Sequence, residues 1–247
     1  MVFLLLACSE PPAAPEERVA AADRAILASA AELGSYQSTA SVLRTWTGKE
    51  GATRSLKEDF ELRWEDPDRW SLILSRDGRQ TQRAVVFGGV PYLSIGDRPL
   101  ERRGDAEPLR VQLAAAWNPW EQAIQPFADQ LGYVEAREDL WEGRAVRVFT
   151  LSAKAPPPKS RPSWVIREVQ GEVWLDEATS VRLKADLKIG AQGKKEALEM
   201  VFSLQVTGIG SPTSLTDPAG EAALQADERR LDQAPPPRPP QPPRPGM

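Results

Sequence analysis

Leu198-Glu199-Met200-Val201-Phe202-Ser203-Leu204-Gln205-Val206-Thr207 is the stretch whose reading decides the fold. Leu198, Met200, Phe202, Leu204 and Val206 share one parity, while Glu199, Ser203, Gln205 and Thr207 occupy the other. Successive side chains of a strand point to opposite faces, so this two-residue period predicts a strand with one dry and one wet face. Such one-sided sheets are antiparallel, because parallel sheets are covered on both faces.

The same period recurs upstream. Tyr36, Ala40, Val42 and Trp46 form one set, and Leu56, Phe60, Leu62 and Trp64 form the next. Gly48-Lys49-Glu50-Gly51 and Glu65-Asp66-Pro67-Asp68 have the composition of the turns between them. Strands are predicted over 69–76, 80–87, 90–95 and 98–103, separated by Asp77-Gly78, Gly88-Gly89 and Gly96-Asp97. Patterns resume at 132–139 and 144–151 and pause in the proline-rich loop from Ala155 to Pro162, where ladder donors are missing. They end in 164–175, 180–189 and 196–207, joined by Asp176-Glu177-Ala178-Thr179 and Gly190-Ala191-Gln192-Gly193. The chain is therefore mainly β, with two antiparallel meanders in one domain.

Three helical segments interrupt or precede them. Val19, Ala22, Ile26, Ala30 and Leu33 recur at helical spacing over 16–33, with Glu16 and Glu17 at the start and Gly34 after the end. A helical stretch runs from Pro108 to about Ala116, and Asn118-Pro119-Trp120-Glu121 starts another with a capping residue and proline at its first position. Pro126 removes a donor inside it and predicts a kink or a break into two short pieces. Trp117, Trp120, Ile124, Phe127 and Leu131 make this insertion conspicuously apolar.

At the N-terminus the apolar run Val2-Phe3-Leu4-Leu5-Leu6-Ala7 stops at Cys8, the only cysteine in 247 residues, and the polar, proline-rich Ser9 to Pro15 follows. Leu5-Leu6-Ala7-Cys8 resembles the lipobox of bacterial lipoproteins, which implies cleavage before Cys8 and acylation of that residue. Residues 1–7 are then a signal-peptide remnant and 8–15 a lipidated tether. The run is short and has no basic residue before it, so the translation start is expected upstream. Ser9, rather than aspartate, after the cysteine implies the outer membrane, facing the periplasm. At the other end, residues 211–247 form an irregular tail with at most a short helix near 218–231, and 234–247 are dominated by proline, which reads as an extended spacer.

Composition narrows the function. The chain is 41% hydrophobic and 27% charged, with a formal charge of −4 and its acids and bases interspersed. No basic stripe is available to neutralise phosphates, so nucleic acid is not an expected partner. Histidine is absent, which removes the commonest general base and the commonest metal ligand together. No metal, cofactor or catalytic residue is expected. The acidic pairs Asp66/Asp68 and Asp176/Glu177 lie in predicted turns, where solvated carboxylates are the expected state, and no nucleophile-base pair stands out.

The order of lipobox, helix, meander, helical insertion and second meander resembles the LolA/LolB superfamily of bacterial lipoprotein carriers, including the LppX/LprG-like lipoproteins. The similarity covers 16–210, and Phe60-Glu61-Leu62-Arg63-Trp64-Glu65-Asp66-Pro67-Asp68-Arg69-Trp70 and Gly171-Glu172-Val173-Trp174-Leu175-Asp176-Glu177-Ala178-Thr179 carry its local wording. The resemblance implies an unclosed half-barrel, a strongly curved antiparallel sheet whose concave side is covered by helices and receives acyl chains. It makes Phe60, Leu62, Trp64, Leu72, Leu74, Met200, Phe202 and Leu204 lining candidates and assigns Trp120 and Phe127 to a lid. The function expected is a membrane-anchored, non-enzymatic carrier of acyl-chain cargo. The alternative is an envelope interaction or sensor module of the same fold that holds a protein partner.

Overall fold

The computed structural model describes residues 14–21, 32–104, 118–155 and 162–220. Cys8, the stretch 108–116 and the tail 234–247 lie outside the described residues, as does the middle of the segment 16–33. A helix α1 is described over Pro15–Ala21, with Val19 buried.

Eleven strands follow: β1 (Tyr36–Gly48), β2 (Thr53–Asp66), β3 (Arg69–Arg76), β4 (Arg79–Phe87), β5 (Val90–Ile95), β6 (Glu101–Arg102), β7 (Leu131–Trp141), β8 (Arg144–Ala153), β9 (Val165–Asp176), β10 (Arg182–Gln192) and β11 (Glu196–Thr207). Between β6 and β7 lie a short helix α2 (Pro119–Ile124) and a 3₁₀ segment (Gln125–Gln130). All strands belong to one antiparallel sheet in the order β6-β5-β4-β3-β2-β1-β11-β10-β9-β8-β7. Each meander is local, and β1 joins β11 at the centre, with Val42 opposite Phe202.

Neighbouring strands rotate by roughly 20–25°, so ten successive pairings accumulate to a turn of about 200° or more. The sheet coils into an unclosed half-barrel. Its edges are β6, two residues long, and β7. Because β6 and β7 lie at opposite edges, the intervening chain must pass from one edge to the other, and this brings α2 onto the concave face.

The apolar parity of β11 is buried throughout, from Leu198 to Val206. Register carries the same face outward, since Ala40 lies between Leu204 and Phe60, and Phe60 lies opposite Leu74. Three hairpins turn on two positive-φ residues each: Asp77-Gly78, Gly88-Gly89 and Glu142-Gly143. Such turns match the twist of the strands they join.

Some expectations are corrected. Residues 98–103 contribute only the two-residue β6, because Arg98 folds back to donate its amide to Ile95 and its carbonyl accepts from the Ser94 hydroxyl. Gly190 and Ala191 stay inside β10, and the turn falls at 193–195, where the Gly193 amide donates to Glu196. The insertion breaks at Pro126 as expected, and the Asn118 side chain accepts the Glu121 amide at 3.2 Å. Packing continues beyond Gly210, with Thr213 buried and its hydroxyl 3.0 Å from Glu65.

Strands β8 and β9 are buried on both faces where two of their pairs meet: Val148 and Trp174 on one face, Phe149 and Val173 on the other. The β7–β8 hairpin tip supplies the outer cover, since the Trp141 indole donates to the Val206 carbonyl and Glu142 accepts the Gly208 amide. Gly171 lies opposite Leu187 at φ 131°, where an added Cβ would sit 2.0 Å from the Asp186 carbonyl oxygen. Gly171→Ala is expected to cost at least about 1–3 kcal/mol from backbone strain alone. Urea denaturation checks this, and an unchanged midpoint refutes it.

Candidate functional site

The concave face gathers the residues singled out in the sequence. Phe60, Leu62, Trp64, Leu72, Met200, Phe202 and Leu204 are buried on it, and Leu74 is half-buried. Trp64 stacks on Trp70 with ring centroids 6.2 Å apart. The helical insertion packs on the same face: Trp120 meets Phe202 edge-on at 5.6 Å, and Phe127 is buried in the same core.

Arg182 holds the helices to the sheet. Its guanidinium carbon lies 3.6 Å from the centroid of the Trp120 ring, and Nη2 donates to the Val19 carbonyl of α1 at 3.2 Å. One buried cation therefore contacts both α1 and α2. Gln130 ties the 3₁₀ segment to β9. Its Nε2 donates to the Trp164 carbonyl at 2.7 Å, and its Oε1 accepts the Ile166 amide at 3.1 Å. The side chain thus replaces a missing strand, because β8 pairs with β9 only over Val146–Thr150.

Between α1, α2, the 3₁₀ segment and the start of β7 lies a cleft of about 270 Å³. Val19, Trp120, Ile124, Leu131 and Tyr133 form its apolar walls. Its rim is charged: Lys154 pairs with Glu16 at 3.0 Å, and Asp129 stands beside them. The Lys154 hydrogen bond holds the Glu16 carboxyl below the usual range.

Polar residues break the concave face at its other end. Glu58 is buried, with Arg44 at 2.6 Å and Arg76 at 2.8 Å. Burial pushes its carboxyl up, but the hydrogen bonds from Arg76 and Arg44 outweigh that and keep it below the usual range. Nη2 of Arg44 also reaches the Gln122 carbonyl of α2 at 3.4 Å.

The acidic turn pairs differ from each other. Asp66 and Asp68 are exposed, as expected, and Asp66 accepts the Asp68 amide. Asp176 is instead buried at 2% exposure. Arg144 grips it in two hydrogen bonds of 2.7 and 3.0 Å, and Thr179 donates to it through its amide and its hydroxyl. A carboxylate so occupied serves the turn. Among the described residues no group of three or more acidic or cysteine side chains is placed to hold a metal.

This geometry defines an unclosed antiparallel half-barrel with helices packed on its concave face. No family model matches the sequence, and no curated protein matches it. Solved structures similar to it include the Mycobacterium tuberculosis lipoprotein LppX, at 14% identity and a TM-score of 0.33 over 81% of this chain and 99% of that one. Another is the LolA superfamily protein NE2245 from Nitrosomonas europaea, at 11% identity and 0.26 over 83% and 96%. A third is a putative outer membrane lipoprotein-sorting protein domain from Vibrio parahaemolyticus, at 10% and 0.28 over 84% and 97%. At such identities no residue role transfers from them.

Proposed function

We propose that this chain is a non-enzymatic envelope lipoprotein that takes up acyl chains between its helices and the concave face. The observation that carries this reading is the cleft walled by Val19, Trp120, Ile124, Leu131 and Tyr133, which opens where the helices meet the sheet edge. Trp120 forms part of that cleft and also packs on Phe202, so the cleft leads onto the apolar face. Phe60, Leu62, Trp64, Leu72, Leu74, Met200 and Leu204 would extend the lining once the helices lift, with Trp120 and Phe127 in the lid.

At about 270 Å³ the cleft is smaller than most drug-sized pockets, which start near 300 Å³. It accommodates the end of one chain, and deeper entry requires Trp120 to leave Phe202. Each buried methylene contributes about 0.8 kcal/mol, so about fifteen of them, a long chain buried along its length, supply about 12 kcal/mol and leave about 8, or micromolar binding, after an association cost of about 4. Delipidated protein is expected to bind a fluorescent fatty acid saturably in that range. Linear, non-saturating uptake refutes the reading.

The anchor belongs to the same proposal. Acylation of Cys8 would hold the domain at a membrane, by this reading the outer one, facing the periplasm; mass spectrometry of the protein from its native host tests it. A second reading, a module that holds an envelope protein partner, is favoured by Val134 and Leu140. These are 60% and 69% exposed on the edge strand β7. Crosslinking from position 134 or 140 in the native envelope would recover one stoichiometric partner if that reading is right.

A further inference from the structure

Three arginines converge on one end of the concave face. Arg44 and Arg76 share the single carboxylate of Glu58. Arg79 lies opposite Arg76 across the Asp77-Gly78 turn, and residues flanking a two-residue turn project to the same face. Arg79 is exposed, and the Arg76 side chain is 52% exposed. The neighbouring acid Asp77 accepts the Lys57 backbone amide at 2.9 Å and keeps its charge, so the three arginines outnumber the two carboxylates Glu58 and Asp77 by one.

Buried Glu58 fixes the guanidinium groups of Arg44 and Arg76 without neutralising the cluster, which keeps an excess of positive charge. The apolar floor reaches this place without being covered. Leu74 is half-buried, and Ile95, joined to it in register through Gln82, is 50% exposed. Arg44 touches Gln122 on one side of α2, while Trp120 and Ile124 of α2 wall the cleft. The cluster and the cleft therefore lie on two sides of one helix, whose width is about 10 Å.

We infer that Arg44, Arg76 and Arg79 form the head-group site for an anionic, phosphate-bearing amphiphile whose chain runs beneath α2 toward the cleft. This rests on the acyl-chain reading above and names the class of ligand. Guanidinium groups suit phosphate because their fork of donors matches its oxygens. Glu58 holds two of the three forks in place before the ligand arrives, which reduces the ordering cost of binding.

The test compares dodecyl phosphate with dodecyl maltoside, probes with the same chain and different heads, by displacement of a fluorescent fatty acid from the full chain. Charge-assisted hydrogen bonds are about twice as strong as neutral ones, so dodecyl phosphate is expected to bind about tenfold or more tightly than the maltoside. R79E is expected to remove most of that preference, read as the ratio of the two affinities. Because R76Q disturbs the Glu58 pair, it is a second variant, with thermal melting as its folding control.

Equal binding of the two probes, or a phosphate preference that survives R79E and R76Q together, overturns the head-group site alone. Failure of both probes to bind overturns the acyl-chain reading and this site with it.

Discussion

Trp120→Ala is expected to destabilise the protein by about 3–5 kcal/mol, the range for truncating a large buried aromatic side chain. The indole is 2% exposed, meets Phe202 edge-on and covers the Arg182 guanidinium. Truncation therefore leaves a hole and uncovers a buried cation. The same change has an opposite effect on ligand. In the free protein Trp120 occupies the path from the cleft to the concave face, so a chain that enters must displace it. Without that competitor, fatty-acid affinity is expected to rise while the denaturation midpoint falls. If both fall together, Trp120 belongs to the binding surface rather than to the plug.

Arg144→Met is expected to cost about 3 kcal/mol at neutral pH, near the lower end for breaking a buried ion pair, because Arg144 itself is a third exposed. The substitution leaves Asp176 buried with only the two Thr179 donors. In the wild type, burial pushes the Asp176 carboxyl up, but the Arg144 and Thr179 hydrogen bonds outweigh this and hold it below the usual range. A depressed native value means the unfolded chain binds the proton more readily. The stabilisation is therefore complete above the ordinary aspartate value of about 3.9 and is lost as pH falls through the native value. In Arg144→Met the cation is gone and protonation of Asp176 relieves the burial, so acid costs this variant less at that site. The stability gap between the two proteins should shrink below about pH 4. A gap that stays constant down to pH 3 would assign the loss to packing of the arginine stem.

Much of the sheet is legible in the sequence because alternation is a local property. The β11 face can be read residue by residue, and the break at Pro126 follows from its missing amide. The basic cluster was also visible, as gaps. Arg44 stands where Tyr36, Ala40, Val42 and Trp46 call for an apolar residue, and Glu58 interrupts Leu56, Phe60, Leu62 and Trp64 in the same way. Polar residues at core parity ask for partners, and the register between β1 and β2 brings these two within reach. Arg182 gave no such warning, because its burial depends on α1 and α2 arriving from distant parts of the chain. The covered outer face of β8 and β9 was likewise hidden, since it is made by the tip of the β7–β8 hairpin. Asp176 looked like an ordinary turn acid for the same reason: the arginine that buries it lies 32 positions away.

The strand order has a consequence for how the chain reaches its native state. Within each half, strands pair with their sequence neighbours, so both meanders close short loops. The seam between β1 and β11 joins Gln37 to Thr207, and bringing such distant segments together carries the greater loop-closure entropy. Both halves can form before they meet, and β1 and β11, which carry apolar residues on alternate positions, are then open edges. During synthesis β1 waits for its second partner until nearly the whole domain has been made. The central seam of the finished sheet is therefore the point at which a half-made molecule is most exposed to pairing with another chain.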